Sequence, residues 1–301
     1  MTQIGFVGLG TMGGPMARNI LRGGHAVRGF DTNPAAMAAH VEAGGTAATS
    51  PRHAAEGADV VVTMLPDGPD VERAVLGEGG VLAGLVRGAI YIDMSTIDPA
   101  VTRRVGAAVA AKGAHMVDSP VGKTADHAIA GTLTLMVGGE PEVISKVRPI
   151  LDLMGKDFFY CGPLGMGEAM KLTNNFLAAT LMAVSVEALV TGTKAGLKLD
   201  LMMDVMRTTM AWNNQLGVSL PKKALAGDFS LGFMVKLAQK DQRLAVGMAE
   251  ALGSRTPVGK AAHDSLAEAA AAGLAELDVS ALMKLREEQA GVVVRKPSAG
   301  S

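Results

Sequence analysis

The sequence of 301 residues contains little cysteine, few aromatic residues and almost no net charge. The single cysteine, Cys161, excludes an internal disulfide framework. A net charge of −1 gives no electrostatic reason to expect nucleic acid or a membrane surface as a partner. Aromatic residues make up only 3% of the chain, so we expect a core of Ala, Val, Leu, Ile and the 19 Met. The length is sufficient for two domains.

The sequence also lacks a clear targeting or membrane segment. Its longest uncharged apolar stretch, 172–186, is short for a membrane span and contains Asn174 and Asn175. The N-terminus enters a predicted strand at once, which leaves no room for a signal peptide. We therefore expect a cytoplasmic protein without a membrane span.

The first residues show a pattern typical of dinucleotide-binding domains. A short apolar run, 4–7, is followed by Gly8, Gly10 and Gly13 at the spacing G-x-G-x-x-G, and then by a predicted helix. This order of strand, turn and helix is the context that the motif requires. We expect Gly8 to allow the tight turn, Gly10 to let the backbone approach a pyrophosphate, and Gly13 to let helix and strand pack closely. The N–H groups of the helix N-terminus would bind the phosphates.

Asp31 ends the second predicted strand, about 20 residues past the glycines. A carboxylate at this place accepts hydrogen bonds from the ribose hydroxyls of NAD and would repel the 2′-phosphate of NADP. The sequence therefore predicts NAD as the cofactor. The alternative is that Asp31 only opens the turn 31–34, whose residues favour a loop.

Predicted strands and helices alternate in the first half of the chain. This alternation predicts an α/β fold with a largely parallel sheet, which we assign to a Rossmann domain over residues 1–163. Ligands of such sheets bind beyond the carboxyl ends of the strands. Four predicted strands end there with Asp31, Leu65-Pro66, Ser95-Thr96 and Asp118.

From Glu168 onwards the sequence predicts helices only. We assign residues 164–294 to an all-α domain and residues 295–301 to a flexible tail. The first helix of this domain, 168–196, is apolar nearly all round, so we expect it to be buried. Such a helix also suggests that one protomer cannot cover it alone.

Lys171, Asn174 and Asn175 interrupt this apolar helix at positions i, i+3 and i+4, which places them on one helix face. Since an unpaired buried charge is costly, a lysine on a mostly buried helix needs partners, and a binding cleft would supply them. The alternative is a solvated lysine at a frayed helix start.

The chain resembles the β-hydroxyacid dehydrogenases in four segments, which occur in the family's order. They are GLGTMG at 8–13, DSPV at 118–121, GMGEAMKLTNN at 165–175 and the pair Lys240-Asp241. The resemblance covers nearly the whole chain. It implies a Rossmann domain followed by an all-helical domain, a homodimer or homotetramer, and reversible hydride transfer between NAD(P) and the alcohol carbon of a small 3-hydroxy acid.

The resemblance also implies a role for each matching residue. Lys171 would be the catalytic residue, donating a proton to the carbonyl oxygen in reduction and accepting it in oxidation. Asn175 would orient Lys171 or the substrate, and Asn174 would bind the substrate. Lys240 would close over the cofactor, unless Lys240 and Asp241 form an exposed ion pair of little energetic weight. Further cofactor contacts are implied for Thr11, Met12, Leu65, Pro66 and Thr96, a further substrate contact for Ser95, and no metal ligand.

The loop after Val121 departs from the commonest family pattern. Most members continue with Ser-Gly-Gly, whereas this chain has Gly122, Lys123 and Thr124. With neighbouring residues between 128 and 133, this loop resembles the sulfolactaldehyde reductase branch, in which arginine and threonine bind a sulfonate. A sulfonate stays ionised and has three acceptor oxygens, which suits an ammonium with hydroxyl and backbone donors. The alternative is that Lys123 is a solvated loop lysine.

We therefore expect NADH-dependent reduction of a three-carbon aldehyde acid, specifically 3-sulfolactaldehyde to 2,3-dihydroxypropane-1-sulfonate. Alternatives within the class are 3-hydroxyisobutyrate dehydrogenase and a tartronate or succinate semialdehyde reductase, which usually carry small residues at 122–124. A non-catalytic reader protein that binds NAD is an alternative from another class. The presence of Lys171 and Asn175 argues against it.

Overall fold

The computed structural model describes residues 2–230 and 232–295, which fall into two compact units divided between Lys171 and Leu172. The predicted tail falls outside the described residues except for Arg295. The guanidinium of Arg295 donates from Nη2 to Glu287 Oε2 at 3.0 Å. The domain boundary between 163 and 164 stays a prediction.

The first unit alternates strands with helices. Its strands are β1 (Gln3–Val7), β2 (Ala26–Phe30), β3 (Thr46–Ala47), β4 (Val60–Thr63), β5 (Ile90–Asp93), β6 (His115–Asp118), β7 (Val121–Gly122), β8 (Leu133–Gly138) and β9 (Gly155–Gly162). Its helices are α1 (Gly13–Arg22), α2 (Pro34–Glu42), α3 (Pro51–Ala55), α4 (Gly68–Leu76), α5 (Val81–Gly84), α6 (Pro99–Ala111), α7 (Ala125–Ala130) and α8 (Pro141–Leu151).

Three of these helices begin in the same way. Each has Pro at its first position, after a residue whose side chain accepts a backbone N–H of the first turn: Asn33 for α2, Ser50 for α3 and Asp98 for α6. Proline has no N–H to lose at this position, and the capping oxygen satisfies an N–H that has no partner within the helix. The local sequence therefore sets these helix starts.

The nine strands of the described residues form one sheet in the order β3-β2-β1-β4-β5-β6-β8-β7, with β9 on β8. All pairs from β3 to β6 are parallel, which confirms the largely parallel sheet. The order β3-β2-β1-β4-β5-β6 is that of a dinucleotide-binding Rossmann sheet. Because β2, β4, β5 and β6 run in one direction, their carboxyl ends lie at the same edge, as predicted.

The far end of the sheet differs from the prediction. Strand β8 runs antiparallel to both β6 and β7, and the sequence did not predict β7 or α7. Both elements are short, since β7 has two residues and α7 has six. Strand β7 continues the direction of β6 beyond the ligand-binding edge, so the loop at 122–124 stands above that edge.

The core of the first unit is aliphatic, as the composition predicts. Ile4, Ile92 and Val117 of the central strands are buried on one side of the sheet with Met16 and Met154. A separate buried cluster, which includes Val61, Val105 and Tyr91, lies on the other side. Both faces of the sheet are therefore covered, as parallel sheets require.

The second unit is helical. Its helices are α9 (Met166–Lys194, which begins in the first unit), α10 (Leu199–Arg207), α11 (Leu220–Lys222), α12 (Val235–Ala251), α13 (Pro257–Ala269) and α14 (Leu282–Ala290). Between 172 and 295, the described residues form one isolated β-bridge, Met234 with Asp278, and no strand. The all-α prediction for this part is confirmed.

Helix α9 is less buried than its composition suggests. Leu177 and Val184 are 59% and 52% exposed, so the prediction of a buried helix is wrong for the single chain. By length and composition α9 could also cross a membrane, a test that core helices of soluble proteins pass as well. Its apolar surface is more than this chain covers.

Candidate active site

The glycine turn after β1 has the geometry that a pyrophosphate site requires. Gly8 has a φ of +95°, and a Cβ there would overlap the carbonyl of Met64. A Cβ on Gly13 would overlap the carbonyl of Gly8, whereas one on Gly10 would meet nothing within 4 Å. Helix α1 starts at Gly13 without a side-chain cap. The turn thus leaves open space at Gly10 beside a helix start that no side chain caps, and this arrangement fits the pyrophosphate of a dinucleotide.

Asp31 connects the glycine turn to the end of β2. Its Oδ2 accepts from the N–H of Leu9 at 2.6 Å, and its Oδ1 accepts from the N–H of Asn33 at 2.7 Å. The second bond is the turn-opening role that we considered as the alternative. A carboxylate oxygen has a second acceptor site, so the contact with the ribose of NAD stays a prediction that this geometry permits.

Ser95 is fully buried between two strand ends. Its hydroxyl donates to Asp93 Oδ1 at 2.6 Å and accepts from the N–H of Leu65 at 2.9 Å. The N–H of Ser95 also donates to Asp93 Oδ1, at 3.1 Å. A hydroxyl has only one proton to donate, so in this arrangement the Ser95 side chain has none for an anion. Its predicted contact with the substrate would need a rearrangement.

Lys171 lies in the second turn of α9 and is only 9% exposed. The alternative of a solvated lysine at a frayed helix start is therefore wrong. The first turn is held from β6, because Asp118 accepts from the N–H of Gly165 at 2.7 Å and from the N–H of Glu168 at 2.9 Å. Asp118 is itself fully buried. Burial raises the pKa of Asp118 to about 6, against the opposing effect of the two N–H donors, and the charge of Asp93 adds to the rise.

The second unit places three predicted site residues, Asn174, Asn175 and Lys240, in one polar cluster with Asp241. The amide of Asn175 donates to Asp241 Oδ2 at 2.6 Å, and that of Asn174 donates to Asn175 Oδ1 at 3.0 Å. The ammonium of Lys240 lies 3.1 Å from Asp241 Oδ1, with side-chain exposures of 14% and 5%. The alternative of an exposed Lys240–Asp241 pair is therefore wrong.

Asp241 is the residue of this cluster whose role the sequence interpretation missed. It holds both Asn175 and Lys240, whereas the sequence assigned it only to a pair with Lys240. The position of Asn175 could have indicated this role. A half-buried amide on an apolar helix needs a hydrogen-bond partner, and Asp241 is that partner.

Lys123 is the one described residue other than glycine with a positive φ, at 78°. Its ammonium donates to Asp157 Oδ2 at 2.7 Å and to the carbonyl of Thr132 at 2.8 Å. The hydrogen bond and charge of Lys123 lower the pKa of Asp157. Thr124, next to it, pairs through Oγ1 with His127 Nδ1 at 3.0 Å. Lys123 is thus not merely solvated, and its contact with a substrate anion stays a prediction.

Residues 3–162 match the NAD binding domain of 6-phosphogluconate dehydrogenase, and residues 165–286 match the NAD-binding domain of NADP-dependent 3-hydroxyisobutyrate dehydrogenase. Together with the Rossmann sheet, these matches define the class: an oxidoreductase with an NAD-binding N-terminal domain and a helical C-terminal domain.

The comparisons with individual proteins narrow this class. The chain is 41% identical to the 3-sulfolactaldehyde reductase of Escherichia coli (strain K12) over 98% of this chain and 99% of that protein. It is also 41% identical to a Pseudomonas aeruginosa 3-hydroxyisobutyrate dehydrogenase, with 95% and 98% covered. A Mycobacterium tuberculosis 3-hydroxyisobutyrate dehydrogenase solved with L-serine matches with a TM-score of 0.89 at 35% identity, covering 95% and 99%. The chain belongs to the β-hydroxyacid dehydrogenase family, of the 3-hydroxyisobutyrate dehydrogenase-like type, which confirms the predicted family, fold class and enzyme class.

Proposed function

We propose that this protein reduces a short aldehyde acid with NADH, that Lys171 is the proton donor, and that 3-sulfolactaldehyde is the first candidate substrate. The observation that carries the proposal is the burial of Lys171 in the second turn of a helix whose first turn is fixed at the ligand-binding edge of the sheet. Burial of an ammonium has a desolvation cost that partners must offset, so the buried position supports a role for the Lys171 charge.

When bound, NADH supplies the hydride that the carbonyl carbon of the substrate accepts. The carbonyl oxygen then takes a proton from the Lys171 ammonium, so that an aldehyde becomes a primary alcohol and the lysine becomes a neutral amine. In the oxidising direction the neutral amine accepts the alcohol proton. Asn175, which Asp241 orients, would position the substrate or Lys171.

Two observations bear on the acidic end of the substrate. The identity to a sulfolactaldehyde reductase and the residues Gly122, Lys123 and Thr124 support a sulfonate. The bond between Lys123 and Asp157 favours a second candidate, a carboxylate as in 3-hydroxyisobutyrate or tartronate semialdehyde, because Asp157 already neutralises the ammonium. A carboxylate would be bound mainly by backbone N–H groups and hydroxyls of the loop.

Steady-state rates would test the proposal and separate the two substrates. The panel contains 3-sulfolactaldehyde and the semialdehydes of tartronate, methylmalonate and succinate, each with NADH and with NADPH. We expect the highest kcat/KM for sulfolactaldehyde, and NADH to be favoured over NADPH because of Asp31. A preference for a semialdehyde of a carboxylic acid would overturn the sulfonate assignment. If no aldehyde acid supports NADH oxidation, the non-catalytic reader protein becomes the better hypothesis.

We also infer a cytoplasmic homodimer or homotetramer with no nucleic-acid or membrane partner. The exposed apolar residues of α9, Leu177 and Val184 among them, support contact with a second copy. The near-neutral charge of the chain supports the absence of a polyanionic partner.

A further inference from the structure

Buried carboxylates connect the strand ends of the first unit to the start of α9. Asp93, at the end of β5, holds Ser95 and through it the N–H of Leu65. Asp118, at the end of β6, holds the backbone of Gly165 and Glu168. The side chain of Glu168 in turn accepts from the N–H of Ile97 at 3.2 Å. The loops after β4 and β5 and the first turn of α9 are thus joined through hydrogen bonds to fully buried acidic residues.

We propose that Asp118 is a positioning residue for Lys171: it fixes the start of α9 at the edge of the sheet, and thereby the place from which the ammonium acts. The inference rests on the proposed function, because it takes Lys171 as the proton donor. Asp118 lies in the segment DSPV, its carboxylate is fully buried, and both oxygens accept from the backbone at the start of α9, at Gly165 and Glu168. It therefore acts through the helix and not on the substrate.

Two glycines lie close around the carboxylate of Asp118 and restrict its position. A Cβ on Gly138 would overlap Asp118 Oδ1, and a Cβ on Gly167 would lie 2.7 Å from Asp118 Oδ2. Two positions without side chains therefore enclose the carboxylate, one on β8 and one in α9. Gly167 belongs to the segment GMGEAMKLTNN, which also contains Lys171. Because Gly167 has no side chain, the Asp118 carboxylate can lie close to the helix that carries Lys171.

The energetics argue against a role in stability alone. The raised pKa of Asp118 means that, even with two N–H donors, the charged form is less favourable in the folded chain than in water. A neutral residue at this position would remove that cost. What a neutral residue cannot do is accept both N–H groups, because an Asn has one acceptor oxygen and an NH₂ group that would face the second donor.

The test compares Asp118→Asn with Thr102→Val. Thr102 lies in α6, is fully buried and has a hydroxyl without a hydrogen-bond partner among the described residues, so the loss of that hydroxyl leaves α9 in place. We expect Asp118→Asn to lower kcat for aldehyde reduction roughly 10-fold to 100-fold, as a displacement of about 1 Å can. NADH should still bind at one site per protomer with a Kd within about twofold of the parent. Thr102→Val should retain the parent kcat.

A double-mutant cycle with Lys171→Ala separates an effect of Asp118 on the position of Lys171 from a general loss of active-site structure. If Asp118 acts through Lys171, Asp118→Asn causes no further loss when Lys171 is already Ala. The same fold-loss in both backgrounds, or a kcat for Asp118→Asn within twofold of the parent, would overturn the inference. Unchanged turnover of Lys171→Ala alone would instead overturn the proposed function, so the two failures are distinguishable.

Discussion

The start of α9 and the loop at 122–124 each contain a lysine that the sequence predicts to lie in the substrate site. The two lysines differ in burial and in how their backbones are held. Lys171 is 9% exposed, on a helix whose first turn is held by a buried carboxylate. The side chain of Lys123 is 32% exposed and already bonded to an acidic residue that is itself 45% exposed. Lys171 is thus the more buried of the two charges, whereas Lys123 is a partly exposed charge in an ion pair.

The two regions also differ in how firmly their backbones are held. An exposed ion pair such as Lys123–Asp157 contributes little stability, because water screens both charges. The left-handed φ of Lys123 costs on the order of 1 kcal/mol relative to glycine, which opposes it. The loop is therefore held weakly, whereas charge-assisted bonds of about 1.5–3 kcal/mol each hold the start of α9. This contrast ranks the effects expected from changes in the two regions.

The largest effect is expected at Lys171. Lys171→Ala should lower kcat by roughly 10² or more, because the carbonyl oxygen loses its proton donor. Its NADH Kd should stay nearly unchanged, as measured by fluorescence titration. Lys194→Ala removes the same charge from the far end of α9, where the ammonium donates to the carbonyl of Ala290, and should leave kcat unaltered. Equal rates for both variants would remove the distinction between Lys171 and an ordinary helix lysine.

Asp118 gives a smaller effect, visible in the pH dependence of stability. Its pKa is about 6 in the folded chain, above its ordinary 3.8, so between these pH values the folded state holds more protons than the unfolded state. The contribution of Asp118 to the free energy of unfolding therefore falls as the pH rises from about 3 to about 7, by about 3 kcal/mol in total, and is constant above that range.

Thermal or urea unfolding of the parent and Asp118→Asn across pH 4 to 8 measures this difference directly. We expect the stability of the Asn variant to rise relative to the parent by about 2 kcal/mol between pH 4 and 8, with most of the rise below pH 6. A difference that does not change with pH would show that Asp118 is not desolvated, and would remove the energetic argument that its charge is retained for positioning.

The sequence predicted most of what depends on local pattern. The glycine turn, the alternation of strands and helices, the common edge of Asp31, Leu65, Ser95 and Asp118, and the long helix with Lys171 all follow from residues within one or two elements. Helix starts at Asn33-Pro34 and Ser50-Pro51 are equally local.

The sequence could not show which polar groups pair with one another, because those contacts join distant segments. The substrate contact of Ser95 stays a prediction, and the sequence did not show that its hydroxyl bonds Asp93 and Leu65. Asp241, which holds Asn175, lies 66 residues further along the chain. The two-residue strand β7 was missed for a related reason, since its existence depends on pairing with β8 and not on its own composition.

The smallest effect is expected at the Lys123–Asp157 pair, and it decides whether the loop belongs to the site. If Lys123 binds the substrate anion, Asp157 competes for the ammonium. Lys123→Ala should then raise the KM for a sulfonate aldehyde about threefold to tenfold, while the KM for an uncharged aldehyde changes less. Asp157→Asn should lower the same KM.

A KM that rises in Lys123→Ala and falls in Asp157→Asn would show that the ammonium binds the substrate anion. If the pair only stabilises the loop, removal of either partner disturbs the same backbone, so both variants shift KM in the same direction and equally for charged and uncharged aldehydes. Lys156→Ala is the matched control, since it removes an exposed positive charge next to Asp157 without breaking the hydrogen bond. A KM that rises in both Lys123→Ala and Asp157→Asn would show that Lys123 has a structural role. Of the two lysines compared, Lys171 and Lys123, Lys171 alone would then keep a chemical role.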